Sequence, residues 1–235
     1  DNINDLLDDL WYAFENKNEN EYFLGSLVLR DLNNSDFKEY EVLDGQQRLT
    51  TLFMLISVIR DKSNNPDLLN TFSEMLFQKK NIFKGIPERV RIIYKIRDSV
   101  ESFINEFVIK ENGTTQIERL TERLKEDNVS IKNMSNAIMT MHDFFKEKNP
   151  KEIETFAQFL AMKVVVIYVS TNNREDAFRL FTILNNRGIP LTNADILKSI
   201  NIGEIENNGN KYARIWEEIE GELGDDFDRF LSFVR

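Results

Sequence analysis

The sequence predicts an α+β fold in which a small N-terminal unit built around a β-hairpin precedes a mostly α-helical region. Three observations carry this prediction. Two β-like runs near the start, Tyr22 to Leu32 and Phe37 to Leu43, are separated by the turn-forming Asn33-Asn34-Ser35-Asp36. Apolar residues recur at three-and-four spacing through most of the rest of the chain. Among the later segments, only Val164-Val165-Val166-Ile167-Tyr168-Val169 has the β-branched density of a buried strand.

The chain opens inside a helix, with Ile3, Leu6, Leu7, Leu10, Trp11 and Phe14 on one face and acids on the other. Beyond Asn2 and Asn4 no start signal precedes it, so a further segment is expected upstream. The hairpin follows. A second helix then carries Leu49, Leu52, Phe53, Leu55, Ile56 and Ile59 as a wide apolar stripe that must be packed. This helix-hairpin-helix unit, 1–65, ends at Asn64-Asn65-Pro66, and the helical region occupies 66–235. Its amphipathic segments are Leu68 to Phe77, Arg89 to Ile109, Thr115 to Lys125, Ile131 to Lys146 and Ile153 to Met162, with Lys79 to Pro87 as a connector. After the strand, a helix from Arg174 to Leu184 runs into Asn185-Asn186-Arg187-Gly188-Ile189-Pro190-Leu191-Thr192. There Gly188 can close the helix, Pro190 prevents its continuation and Thr192 can cap the next one. Helices from Tyr212 to Leu223 and Phe227 to Val234 finish the chain, the last without a stop signal, so continuation is expected downstream as well.

Composition narrows the function. A hydrophobic content of 41% with 18 Phe in 235 residues supports a packed core, and no apolar run reaches the length of a membrane span. The absence of Cys removes disulfide and thiolate chemistry, and with no signal-peptide pattern it fits a reducing cytoplasm. His142 is the only histidine, too few for a His-based zinc site or a His-centred triad; beside Met139, Met141 and Phe144 it reads as structural or surface. The net charge of −10 opposes a surface wholly committed to nucleic acid. The charge is unevenly spread, however. The first 41 residues are strongly acidic, whereas Lys79 to Arg97 holds Lys79, Lys80, Lys84, Arg89, Arg91, Lys95 and Arg97 against Glu88. This stretch is either a solvated face or a nucleic-acid contact through Arg89, Arg91 and Lys95.

Composition, local geometry and chemistry converge at Asp44-Gly45-Gln46-Gln47-Arg48-Leu49-Thr50-Thr51. Gly45 allows a sharp strand-to-helix turn, the next amides become the unpaired donors of a helix N-terminus, and Arg48 adds a permanently charged planar fork. Phosphate is the guest this combination suits. Each residue carries two readings. Arg48 is a phosphate clamp that stabilises charge in phosphoryl transfer, or a salt-bridge partner of the acidic first helix. Gln46 and Gln47 position a water or read a base edge, or they cap the helix. Asp44 holds Mg²⁺ or a Mg²⁺-bound water and acts as a base, or it only stabilises the helix N-terminus. Thr50 and Thr51 contact a ligand or bond back to the preceding turn. A second polar turn, with Asn186 and Arg187, is either an ordinary helix stop or a partner that folds onto the first motif.

Three stretches together resemble a known family. They are Tyr22 to Val28, Val42 to Leu52 with its Asp-Gly-Gln-Gln-Arg core, and Phe178 to Lys198 with Asn-Asn-Arg-Gly-Ile-Pro-Leu-Thr-Asn-Ala-Asp. They are similar to the DGQQR-motif domain, found in the GmrS half of GmrSD-type type IV restriction enzymes and in related phage-defence proteins. The resemblance implies a ParB/sulfiredoxin-like N-terminal subdomain, with Gly45 to Arg48 matching its phosphate-binding Gly-x-x-Arg element. It also implies nucleoside-triphosphate hydrolysis with Mg²⁺, coupled to DNA restriction by a C-terminal or partner HNH nuclease. Two departures stand out. The family's Ile-Pro-x-x-Gln-Arg segment is not in this chain, and a single His cannot supply an HNH motif. The expected function is a nucleotide-binding, NTP-hydrolysing module of a bacterial DNA-restriction protein. The competing reading is a non-catalytic nucleic-acid- or protein-binding module.

Overall fold

The computed structural model describes residues 2–17, 20–32, 38–94 and 98–173, together with 176, 215–216, 219, 223 and 227–233. The fold is α+β. Helix α1 (Asn2–Lys17) is followed by strands β1 (Tyr22–Asp31) and β2 (Tyr40–Asp44), then α2 (Gln46–Lys62) and α3 (Pro66–Leu76). A short hairpin of β3 (Phe77–Gln78) and β4 (Arg89–Val90) encloses a 3₁₀ turn, Ile82–Lys84. Beyond it lie α4 (Asp98–Phe103), a π-helical turn (Ile104–Ile109), α5 (Ile117–Arg123), α6 (Val129–Phe144), α7 (Pro150–Lys163) and β5 (Val164–Thr171). Helix α8 is Phe227–Phe233. The main sheet has the order β2-β1-β5, with β1 and β2 antiparallel.

The chain forms two compact units, one of Asp1–Leu27 with Gly45–Val169, the other of Val28–Asp44 with Ser170–Arg235. In the second, Val28 pairs with Asp44 and Arg30 with Glu41 across a register irregularity at Val28/Leu29, and Arg30 and Glu41 form an ion pair at 2.9 Å. Trp216 packs edge-on against Phe227 at 5.4 Å, so this tryptophan serves packing.

The first unit holds the large core. Helix α2 lies at its middle, packed against α3, α6, α7 and the π-helical turn, with Phe53, Met54, Leu55, Val58 and Ile59 buried. Trp11 anchors an aromatic cluster, 5.0 Å from Phe156 and 5.2 Å edge-on from Phe14, while the Lys148 ammonium lies 4.1 Å above its ring. Helix starts follow local chemistry. The Asn65 side chain accepts from the amides of Asp67 and Leu68 with Pro66 behind it, Asn128 caps α6, and Asn149 and Glu152 form a reciprocal capping box on α7.

Two expectations need correction. The run Arg89 to Ile109 is not one helix. Arg89–Val90 pairs with Phe77–Gln78, the Arg91 amide donates to the Leu76 carbonyl at 3.2 Å, and residues 92–94 are not helical. Cross-strand bonds to α3's end outweigh the local periodicity, while Ile92 and Tyr94 pack against the core from irregular backbone. The strand Val164–Thr171 forms as expected but is half-exposed, with Ile167 and Tyr168 open to solvent. The helix expected from Arg174 to Leu184 and the turn at Asn185 to Thr192 lie outside the described residues. Among the described residues, no helix is long and apolar enough to cross a membrane.

One polar network crosses the core. Arg60, 1% exposed, donates to the carbonyls of Val108, Ile109 and Lys110 at 3.1, 3.0 and 2.9 Å and pairs with Asp61 at 2.7 Å. Asp61 accepts in turn from the amides of Asn112 and Thr114 and from the Thr114 hydroxyl. The last carbonyls of the π-helical turn, which have no partner of their own within the helix, are thereby satisfied by α2. His142 lies beside this network. Burial, reinforced by the nearby Lys62 ammonium, pushes its pKa down to about 4 against the opposing pull of Asp61 and Asp143.

Arg60→Met removes the cationic partner of Asp61 and leaves the Val108 and Ile109 carbonyls without their arginine donor, and should cost about 3–5 kcal/mol in urea unfolding. His142 has its pKa lowered on folding, so its contribution is complete above about pH 6.5 and is lost as pH falls toward about 4. The urea midpoint of His142→Gln should therefore fall less steeply than that of the parent between these pH values.

Candidate phosphate-binding turn

Strand β2 ends at Asp44, and Gly45 turns the chain into α2 with φ +88°, a left-handed conformation that side-chain-bearing residues rarely adopt. A Cβ at Gly45 would also lie 2.2 Å from a Leu27 methyl. The Leu49 amide closes the first helical bond on the Gly45 carbonyl at 2.9 Å, which leaves the preceding amides outside the helical ladder. The N-cap of this 17-residue helix is Gly45, which has no side chain to cap with, and the first turn contains no acid. Gln46 and Gln47 occupy its first two positions and are exposed.

Arg48 reaches from the first turn of α2 to strand β1. Its Nη1 donates to the Ser26 carbonyl at 2.5 Å, and its guanidinium lies flat against Gly25. A Cβ on Gly25, which has φ +133°, would stand 2.8 Å from Arg48 Cζ and 2.9 Å from Nε. Gly25 thus provides the room that the guanidinium fills. Among the described residues no carboxylate pairs with Arg48, so the alternative of a salt bridge to the acidic α1 is not realised there. The result is a half-buried, permanently charged group with one of its five N–H donors committed to a neutral carbonyl.

Thr50 donates to the Gln46 carbonyl at 2.8 Å, the local bond expected of it, and also bonds the hydroxyl of Tyr94. Tyr94 thereby braces the first turn of α2 from the segment after β4. Burial holds its phenol above the usual range, only partly offset by the Thr50 bond, so it stays neutral. Thr51 is half-buried on the same helix. Asp44 is half-buried at the end of β2, and among the described residues no three metal-ligating side chains cluster. Asn186 and Arg187 lie outside the described residues, as does Lys95. Arg89 reaches Gln78 at 3.5 Å and Arg91 donates to the Glu74 carbonyl at 2.9 Å, which places both arginines at the root of the short hairpin.

Sequence reasoning found Gly45 and Arg48 but assigned no role to Gly25, Ser26 or Tyr94. Their signal was faint: a glycine inside a strand pattern marks a close approach of some other group, and Gly25 is such a case. Two cavities elsewhere lack comparable chemistry. One, about 180 Å³, is lined by apolar residues including Leu52, Ile56, Phe72, Met75, Leu160 and Val166. The other, about 400 Å³, lies along Thr115 to Arg119, where Arg119 is already paired with Glu106.

Gly25→Ala should cost about 1–3 kcal/mol in thermal or urea unfolding, because it adds a clash to a disfavoured φ. In an Arg48→Ala background the same change should cost less, since the clash is then absent; an additive double-mutant cycle would contradict the stacking described here.

No curated protein matches the chain. The family model for the N-terminal domain of the GmrSD restriction endonuclease matches residues 1–202, a span that contains the Gly25, Gly45 and Arg48 turn in full. The chain therefore belongs to the GmrSD restriction endonuclease N-terminal domain family, a family of DNA-related, phage-defence modules.

Proposed function

We propose that this chain is the nucleotide-binding and NTP-hydrolysing module of a bacterial restriction protein, with 1–65 a ParB/sulfiredoxin-like subdomain and 66–235 the helical region that relays nucleotide state. The observation that carries this reading is the half-buried guanidinium of Arg48 without a counter-charge among the described residues, beside a helix N-terminus that opens on Gly45 and has no acid in its first turn. In a chain of net charge −10, a cationic site left without a carboxylate favours an anionic guest. Triphosphate oxygens suit both the amides of the turn and the planar fork of Arg48.

In this reading Gly45, Gln46, Gln47 and Arg48 hold the phosphates, with Thr50 and Thr51 on the same turn of α2. Arg48 stabilises the charge that develops during phosphoryl transfer, and Gln46 positions water. Mg²⁺ would be the accompanying cation. Asp44, just before the turn, is the carboxylate that would hold it, and the ion would supply charge neutralisation on the phosphates. DNA cleavage belongs to a nuclease domain outside this chain, and the setting is the cytoplasm.

Thermal unfolding with Mg²⁺ and each nucleoside triphosphate tests the reading. At about a hundred times Kd, the right nucleotide adds about 2.7 kcal/mol of stability, and Arg48→Ala should remove that gain while unfolding cooperatively by itself. If no nucleoside triphosphate raises the midpoint of the parent protein, the reading fails.

A further inference from the structure

The hairpin between α3 and α4 carries a surface that the nucleotide reading does not use. At its tip Phe83 is 102% exposed and Ile82 76% exposed, the two most exposed large apolar side chains among the described residues. They are held outward by an ordered turn. Asn81 and Ile86 exchange both backbone bonds at 2.9 Å, and the Asn81 side chain accepts from the Lys84 amide at 3.1 Å. Below them, the Gln78 side chain donates to the Pro87 carbonyl at 2.8 Å, and Arg91 ties the hairpin to the end of α3. Lys79, Lys80 and Lys84 flank the tip, are exposed, and make no side-chain ion pair among the described residues. Glu88 is the only acid between Phe77 and Arg91.

We propose that this hairpin is a DNA-docking element in which Lys79, Lys80 and Lys84 seat on the phosphates of duplex DNA and Phe83, with Ile82, wedges against a base step. Two features choose the occupant. The lysines concentrate positive charge on one projection of a chain whose net charge is −10, which selects a polyanion rather than a generic apolar partner. An aromatic and a β-branched side chain at the end of a rigid turn match the wedges that unstack duplex steps, where a ring gains a π-face that water cannot offer. The family's role in DNA restriction is consistent with a duplex as the polyanion. The inference stands apart from Arg48 and is tested without nucleotide.

The experiment uses the whole chain, a fluorescein-labelled duplex for anisotropy, and a duplex with 2-aminopurine at internal steps to report unstacking. The parent should bind with affinity that falls steeply between about 50 and 200 mM salt, and should raise the 2-aminopurine signal. Phe83→Ala should weaken binding roughly tenfold and abolish that signal without changing the salt slope. Lys79→Ala, Lys80→Ala and Lys84→Ala combined should lower the slope by up to about three, as expected for three lost phosphate contacts. Both changes are on exposed side chains, and a cooperative unfolding curve at the parent's midpoint verifies the fold. Absence of duplex binding at low salt overturns the proposal, as does binding that neither variant weakens. Tighter Phe83-dependent binding to single strands, or to phosphatidylserine-containing vesicles, also overturns it by assigning the tip to another partner.

Discussion

The first unit depends on helix α2 being held at both ends by an arginine that binds backbone rather than a side chain alone. At the N-terminal end Arg48 donates to the Ser26 carbonyl of β1. At the C-terminal end Arg60 takes the carbonyls of Val108, Ile109 and Lys110, with Asp61 beside it collecting the amides of Asn112 and Thr114. Between them the apolar face of α2 packs on the surrounding helices. Apolar burial by itself is non-directional and would tolerate a helix that slides or rotates. Directional bonds to carbonyls from both ends remove that freedom and set the position of the Gly45 turn.

The two arginines differ in electrostatic terms, and the difference bears on function. Arg60 is fully buried and matched by a carboxylate, as a charge in that position must be. Arg48 is half-buried, has a neutral carbonyl and a glycine face as neighbours, and sits where the helix N-terminus already favours negative charge. Two glycines with positive φ make this possible, one for the turn and one for the close approach of the guanidinium. The same chain thus contains a cation fully committed to structure and a cation that structure leaves receptive.

Much of the architecture could be read from residue order. The boundary at Asn65-Pro66, whose cap acts within three residues, shows in the sequence, whereas the caps at Asn128 and Asn149 emerged with the structure. The apolar stripe of α2 and the Gly-x-x-Arg spacing were legible for the same reason. The segment after Pro87 was not. Arg89 to Ile109 has helical periodicity, yet its first residues pair with the end of α3, a bond set by chain positions about a dozen residues away. The buried π-helical turn was equally hidden, since its carbonyls are satisfied by an arginine some fifty residues earlier.

The sequence by itself determined the α+β class, most helix starts, the strand-to-helix turn at Gly45 and the presence of a fixed positive charge three residues later. These depend on local backbone chemistry and on the spacing of apolar residues. Only the tertiary structure decided what that charge touches. Arg48 lies against Gly25 and bonds the Ser26 carbonyl, because β1 brings a residue without a side chain and a carbonyl within reach of the guanidinium. That choice depends on which strand passes beside the helix, and distance in space, unlike distance along the chain, is not written in the order of residues.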